Sequence, residues 1–160
     1  MKKQNVDPVC CPKFDPAPWD GKKFVWKGKK FIQDHVFTVF YMPINFGAVM
    51  TRIMGKIDAA KAKVPDNLCL SEHTSLWNMN VHTAVNRDIP GVTTETIDGT
   101  FISKVYEGPF QDMGKWMEDF STYTQSQNIH VIKQYVWYTT CPECAKKYGK
   151  NYVVLVGKIG

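Results

Sequence analysis

Twice in this chain an apolar, β-branched stretch runs through a proline into an amphipathic helix, with nearly the same spelling each time. Val39-Phe40-Tyr41-Met42-Pro43 lines up with Val105-Tyr106-Glu107-Gly108-Pro109. After one extra residue in the second turn, Phe46-Gly47, Val49-Met50 and Ile53 line up with Met113-Gly114, Trp116-Met117 and Phe120. Proline lacks an N–H and fixes φ, so it halts the strand at both points, and the apolar residues beyond it recur at helical spacing. Two strand-like stretches follow in each half. The predicted fold class is therefore α+β: duplicated strand–helix–strand–strand units forming an antiparallel sheet with two helices on one face. That leaves the opposite face, or the seam between the halves, open for a ligand.

The spacing predicts strands over 31–41, 75–86, 94–106 (bent at Gly99), 129–140 and 152–159. Asn45 is placed to cap the first helix, which continues to about Ala62, and Trp116, Phe120 and Tyr123 share the apolar face of the second. Pro8 to Pro18 holds four prolines in eleven residues, which forbids a helix interior or a central strand. Its aromatic and cysteine content argues against a tail. The expected layout is one domain over 1–160: an ordered Pro/Cys-rich arm over 1–30, a first repeat over 31–96 and a second over 97–160.

The formal net charge of +5 gathers at the ends, with eight lysines and three aspartates in residues 1–30 and five lysines against Glu143 in 131–160. Only two arginines occur, Arg52 and Arg87, and they do not cluster, so nucleic acid is not an expected partner. No apolar run is long enough for a membrane helix and the first residues are not a signal peptide, which points to a cytoplasmic protein without a membrane partner. Nothing in the sequence fixes an oligomeric state.

The segment Asp98-Gly99-Thr100-Phe101-Ile102-Ser103-Lys104-Val105-Tyr106-Glu107-Gly108-Pro109-Phe110 resembles the signature of GyrI-like small-molecule-binding proteins, over roughly residues 31–140. The front Cys-Cys-Pro-Lys-Phe-Asp-Pro-Ala-Pro-Trp-Asp and the late Thr-Thr-Cys-Pro-Glu-Cys-Ala-Lys-Lys-Tyr-Gly-Lys-Asn-Tyr resemble a stand-alone bacterial branch labelled hydrolase. The resemblance implies the duplicated architecture. It also implies a function among those the scaffold hosts: drug sensing, sequestration, or hydrolysis of strained cyclopropane-bearing toxins. Two departures stand out. The family's regulators carry a DNA-binding domain not seen here, and its sensors place a buried glutamate late in the sheet, where neither terminal strand has one.

Chemistry-bearing residues fall into three groups. Cys141-Pro142-Glu143-Cys144 looks like a zinc knuckle, and Cys10-Cys11 offers the second thiol pair that tetrahedral zinc needs. Thiol–disulfide exchange and inert packing are the competing readings, and the redox reading is the weaker because the motif is expected in a loop between strands. Trp77, Tyr106, Tyr135 and Trp137 are expected on central strands as a ligand-binding cleft for an aromatic or apolar molecule. Glu107 ends an aromatic strand and is the candidate catalytic acid, reaching that cleft only if the chain turns at Gly108; the alternative is a surface glutamate. His82 shares a predicted face with Asn78 and Asn80, as a site residue or a structural hydrogen-bonder. The functional expectation is a small-molecule-binding protein, with hydrolysis of the ligand left open by the sequence. The alternatives are a zinc-stabilised interaction factor and a thiol redox protein.

Overall fold

Val153-Val154-Leu155-Val156 is buried at every position, so both faces of its strand must be covered. A closed sheet with helices outside meets that demand. The computed structural model describes residues 13–40, 42–140 and 142–160. Their elements are β1 (Lys22–Val39), β2 (Met42–Pro43), α1 (Phe46–Ala59), β3 (Cys69–Ser75), β4 (Asn78–Ala84), β5 (Thr94–Glu107), α2 (Met113–Ser126), β6 (Val131–Tyr138), α3 (Pro142–Tyr148) and β7 (Tyr152–Ile159). The chain is thus α+β, and β1–α1–β3–β4 is followed by β5–α2–β6–β7, the same order of elements twice.

The sheet is not open, as the sequence suggested. Strands run β1–β4–β3–β6–β7–β5, and β5 pairs back to β1, closing a six-stranded antiparallel barrel. The closure is made by the first half of β1, Lys22 to Trp26, against Ser103 to Gly99, and after a register shift by Lys29 to Ile32 against Ile97 to Thr94. Gly28, at φ 60, sits in that shift, and its N–H donates to the Asp98 carboxylate. The one extra residue on β1 switches the inward-facing parity, so Phe24 and Trp26 before the shift and Phe31 after it all join the inner cluster. Gly99 lies opposite Trp26, where a Cβ would come within 2.9 Å of the Lys158 side chain. The bend expected there does not interrupt β5, which runs unbroken through Gly99 at φ 137.

Inside the barrel, Phe31, Leu70, Ala84, Ile97, Phe101, Tyr135, Trp137, Val154 and Val156 form one cluster. The alternate residues point outward. Ile32, Val36, Met79 and Val81 receive Val49, Ile53 and Ile57 of α1, while Ile102, Val136, Val153 and Leu155 receive Trp116 and Phe120 of α2. Both helices therefore lie on one face of the sheet, its outer one. Each such side chain contributes about 1.5–3 kcal/mol by leaving water.

Several expectations need correction. β1 starts at Lys22 rather than Phe31, because Phe24 and Trp26 alternate with the outward Lys23, Val25 and Lys27. The expected single strand over 75–86 is a hairpin: Cys69–Ser75 is a strand of its own, too polar to read as one, and Leu76-Trp77 is the turn. The segment after Cys141 is the helix α3, not a loop. Asn45 stands at the N-cap of α1, yet its side-chain oxygen accepts the Phe37 N–H at 2.8 Å and ties the helix to β1 instead.

A second tie joins α1 to β1. Arg52 Nη2 lies 2.8 Å from both oxygens of Asp34, and Nε lies 3.1 Å from Oδ2. Burial alone would raise the Asp34 pKa, but the Arg52 hydrogen bonds and charge and the His35 N–H outweigh it and hold the carboxyl below its usual range. A depressed carboxyl stabilises the fold above its unfolded pKa, about 3.9, and that contribution is lost as pH falls through the folded value. Asp34→Asn is expected to cost about 1 kcal/mol at pH 7 in urea denaturation, the upper range for a partly exposed pair. The difference from wild type should shrink steadily once the pH drops into the acid range; an undiminished difference there would exclude the pair as its origin.

Candidate active site

Charged side chains break the apolar inner lining at one level of the barrel. On each strand they continue the inner parity: Glu72 beyond Leu70, His82 before Ala84, Glu95 before Ile97, and Lys133 before Tyr135 and Trp137. His82 is the centre. Its Nδ1 bonds Glu95 Oε1, and its Nε2 lies 3.3 Å from Glu72 Oε2. Lys133 Nζ reaches the same Glu72 oxygen at 3.3 Å. Four strands thus supply one row, Glu95–His82–Glu72–Lys133, in which acid and base alternate. The Tyr135 ring stands edge-on to the imidazole, centroids 5.7 Å apart.

The row is driest at its centre and wetter at both ends. The His82 side chain is 6% exposed and Glu72 19%, whereas Glu95 is 34% exposed. Burial pushes the Tyr135 phenol up; Lys133 opposes this and the two glutamates add to it, so the phenol keeps its proton at neutral pH. Burial works against the Lys133 ammonium, but Tyr135 and Glu72 beside it raise its pKa overall. Glu95 opens into a cleft of about 700 Å³, where Gln33, His35, Asn78, Asn80 and Thr93 supply amide, imidazole and hydroxyl groups. β1 runs past the end of β5 here, and that overhang forms the mouth of the cleft. A carboxylate at a wet mouth, held by a buried imidazole, can orient and deprotonate a water or pair with a cationic group.

The other end of the interior is covered by the arm. Residues 13–21 fold back so that Phe14 and Trp19 stand edge-on to Trp137, with centroids 5.3 and 5.0 Å away. The Trp19 carbonyl accepts the Ser103 hydroxyl, and Asp20 Oδ1 accepts the Val105 N–H at 3.1 Å. Residues 13–21 of the expected arm thus pack on the barrel, and residues 1–12 lie outside the described residues.

Of the four aromatic residues expected to share a cleft, Tyr135 and Trp137 face the interior. Tyr106 faces outward, stacked on Trp116 at 5.8 Å and donating to Asp119 Oδ2 at 2.7 Å. Trp77 sits on the β3–β4 turn, 48% exposed and beside Phe40. Glu107 is exposed at the arm end of β5, roughly 40 Å along that strand from Glu95 at 3.3 Å per residue. The turn at Gly108 is set by Asn151, whose carbonyl accepts the Gly108 N–H and whose amide donates to the Gly108 carbonyl. Cys10, Cys11 and Cys141 lie outside the described residues, and Cys144 is buried on α3. No group of His, Cys, Asp and Glu among the described residues is arranged to hold a metal ion. His82 does share its face with Asn80. Its carboxylate partners were missed in the sequence, although a charge two residues from a buried apolar side chain on three separate strands was the available signal.

His82→Ala should cost about 2–3 kcal/mol in urea denaturation, because both carboxylates lose a buried partner. Lys133→Met, at the half-exposed end of the row, should cost less than about 1 kcal/mol. Equal costs would mean that the row is not graded by burial.

The described residues thus form an α+β barrel with a charged row at one mouth and the arm's aromatic rings at the other end. The chain belongs to the bacterial hydrolase family, whose model matches residues 1–159. Its fold is similar to that of the EcmrR C-terminal domain (TM-score 0.68, 8% identity, 89% of this chain and 98% of that one). It is also similar to EcmrR in a cryo-EM structure of an EcmrR–DNA complex (TM-score 0.65, 8% identity, 88% of this chain and 57% of that one). At such identity the likeness concerns the fold alone. Comparison with curated proteins gives no match. No helix among the described residues is long and apolar enough to cross a membrane.

Proposed function

We propose that the protein is a GyrI-like domain that binds a small molecule in the cleft over the Glu95–His82–Glu72–Lys133 row and hydrolyses it. The observation that carries this reading is Glu95, a carboxylate open to the cleft and bonded behind to a buried histidine. The repeated order of elements and the family's description support it, and the repeat itself is read as a duplication. In the step envisaged, Glu95 takes a proton from water as the water oxygen bonds to an electrophilic carbon. The bond to the leaving group breaks, and the proton passes on to that group. The Lys56 ammonium and the Gln33, Asn78 and Asn80 amides, which line the cleft with Glu95, are the available donors to developing negative charge.

A thermal-shift screen of strained and electrophilic small molecules, followed by product analysis on the best binder, supplies the substrate for the test. Glu95→Gln should abolish turnover while leaving affinity within a few-fold, since the amide keeps the shape and loses the base. Glu107→Gln, the alternative acid, should leave turnover intact. The reverse pattern would move the chemistry to the arm end of the barrel, and binding without turnover in wild type would reduce the protein to a binding module.

A zinc site formed by Cys10, Cys11, Cys141 and Cys144 is a second reading, favoured by where the arm docks. Phe14 lies 5.7 Å from the Tyr152 ring, just beyond α3 in the chain. The purified protein should contain about one zinc per chain, and chelation should loosen the arm and α3 while the barrel stays folded. Metal-free native protein whose four thiols all titrate would contradict this.

A further inference from the structure

We infer that the apolar end of the barrel is a second binding pocket, for a flat aromatic molecule carrying a hydrogen-bond acceptor, and that the arm's Phe14 and Trp19 occupy it as an internal substitute. Two independent observations carry this.

The first is an unsatisfied donor. Trp137 is 2% exposed, and its indole Nε1–H has no hydrogen-bond partner among the described residues. Buried donors are nearly always paired, because an unpaired one forfeits its bond to water without replacement. Phe14 and Trp19 stand nearly perpendicular to the Trp137 ring, and their side chains bring no oxygen or ring-nitrogen acceptor to its N–H. A ligand with a ring nitrogen or carbonyl in their place would pair it.

The second is the fit of the arm. A cavity of about 480 Å³, in the range of small-molecule sites, remains between the arm and the barrel, bounded by Phe14, Trp19, Val64, Asn67, Trp137 and Thr139. Phe14 and Trp19 are only half buried, unlike the barrel's own inner residues. The arm joins β1 through Gly21 at φ +64, a conformation that suits a glycine pivot. Withdrawal of the two side chains would add their volume to the cavity and make room for a bicyclic ring, without breaking a strand of the barrel.

The pocket does not depend on hydrolysis at Glu95, and its test needs no turnover. The full chain carrying Phe14→Ala and Trp19→Ala is titrated with quinoline and with naphthalene, two rings of one shape of which only quinoline has an acceptor nitrogen. Quinoline should bind this variant at least tenfold more tightly than it binds wild type. It should also be preferred over naphthalene by about fivefold to tenfold, the worth of one buried hydrogen bond. Adding Trp137→Phe should erase that preference and leave naphthalene affinity within a few-fold. If the double variant does not fold, Trp19→Ala alone, which keeps Phe14 in place, carries the same comparison. Equal affinity of the folded variant and wild type for quinoline would overturn the pocket. Equal affinity of the variant for the two rings would overturn the role of the Trp137 N–H.

Discussion

Everything in this molecule depends on the pairing of β5 back onto the first half of β1. Without it the sheet would be open, and Phe24, Trp26 and Phe101 would face water. With it they form the stacked floor of an enclosed interior, Trp26 and Phe101 lying 4.5 Å apart. The bulge at Gly28 makes the closure possible, because one strand must present its apolar residues inward on both sides of a change in register. The inside–outside alternation of every other strand then follows, and so does the burial of both helices on the outer surface.

Closure also decides where chemistry can occur. The interior has two ends of opposite character. At one, β1 overhangs β5, and the Glu95–His82–Glu72–Lys133 row meets a polar cleft. At the other, the arm lays two aromatic rings over Trp137. A molecule with a polar head and an apolar ring would find both environments in one barrel, with Tyr135 between them.

The sequence made the helices and the repeated element order legible, because proline stops and helical spacing are local signals. Pro109 and the Val49–Ile53–Ile57 stripe sufficed for that, whereas β1 ends at Val39 and Pro43, expected to stop it, lies in β2 paired with Thr38. The closure was not legible: Lys22 to Lys30 reads as a solvated lysine run, and only the pairing with β5 reveals Phe24 and Trp26 as its inner face. β3 was hidden for a related reason. Its residues Ser71, Glu72 and His73 gain meaning only when β4 and β6 lie beside them. The same holds for the site. His82, Tyr135 and Trp137 were visible as singular residues, but Glu72, Glu95 and Lys133 join His82 across strands distant in sequence. Tyr106 and Trp77 were misplaced because one position along a strand, or a hairpin turn in place of a strand, reverses where an aromatic residue points.

The central claim is that this barrel receives small molecules in its interior, at the charged row, rather than on its outer surface. A crystal structure of the wild-type chain with the tightest binder from a small-molecule screen tests it most directly. The account predicts density for the molecule in the cleft, within hydrogen-bonding distance of Glu95 and bounded by Asn80 and Gln33. Density confined to the outer face, around Tyr106 and Asp119 or beside the exposed Trp77, would contradict it.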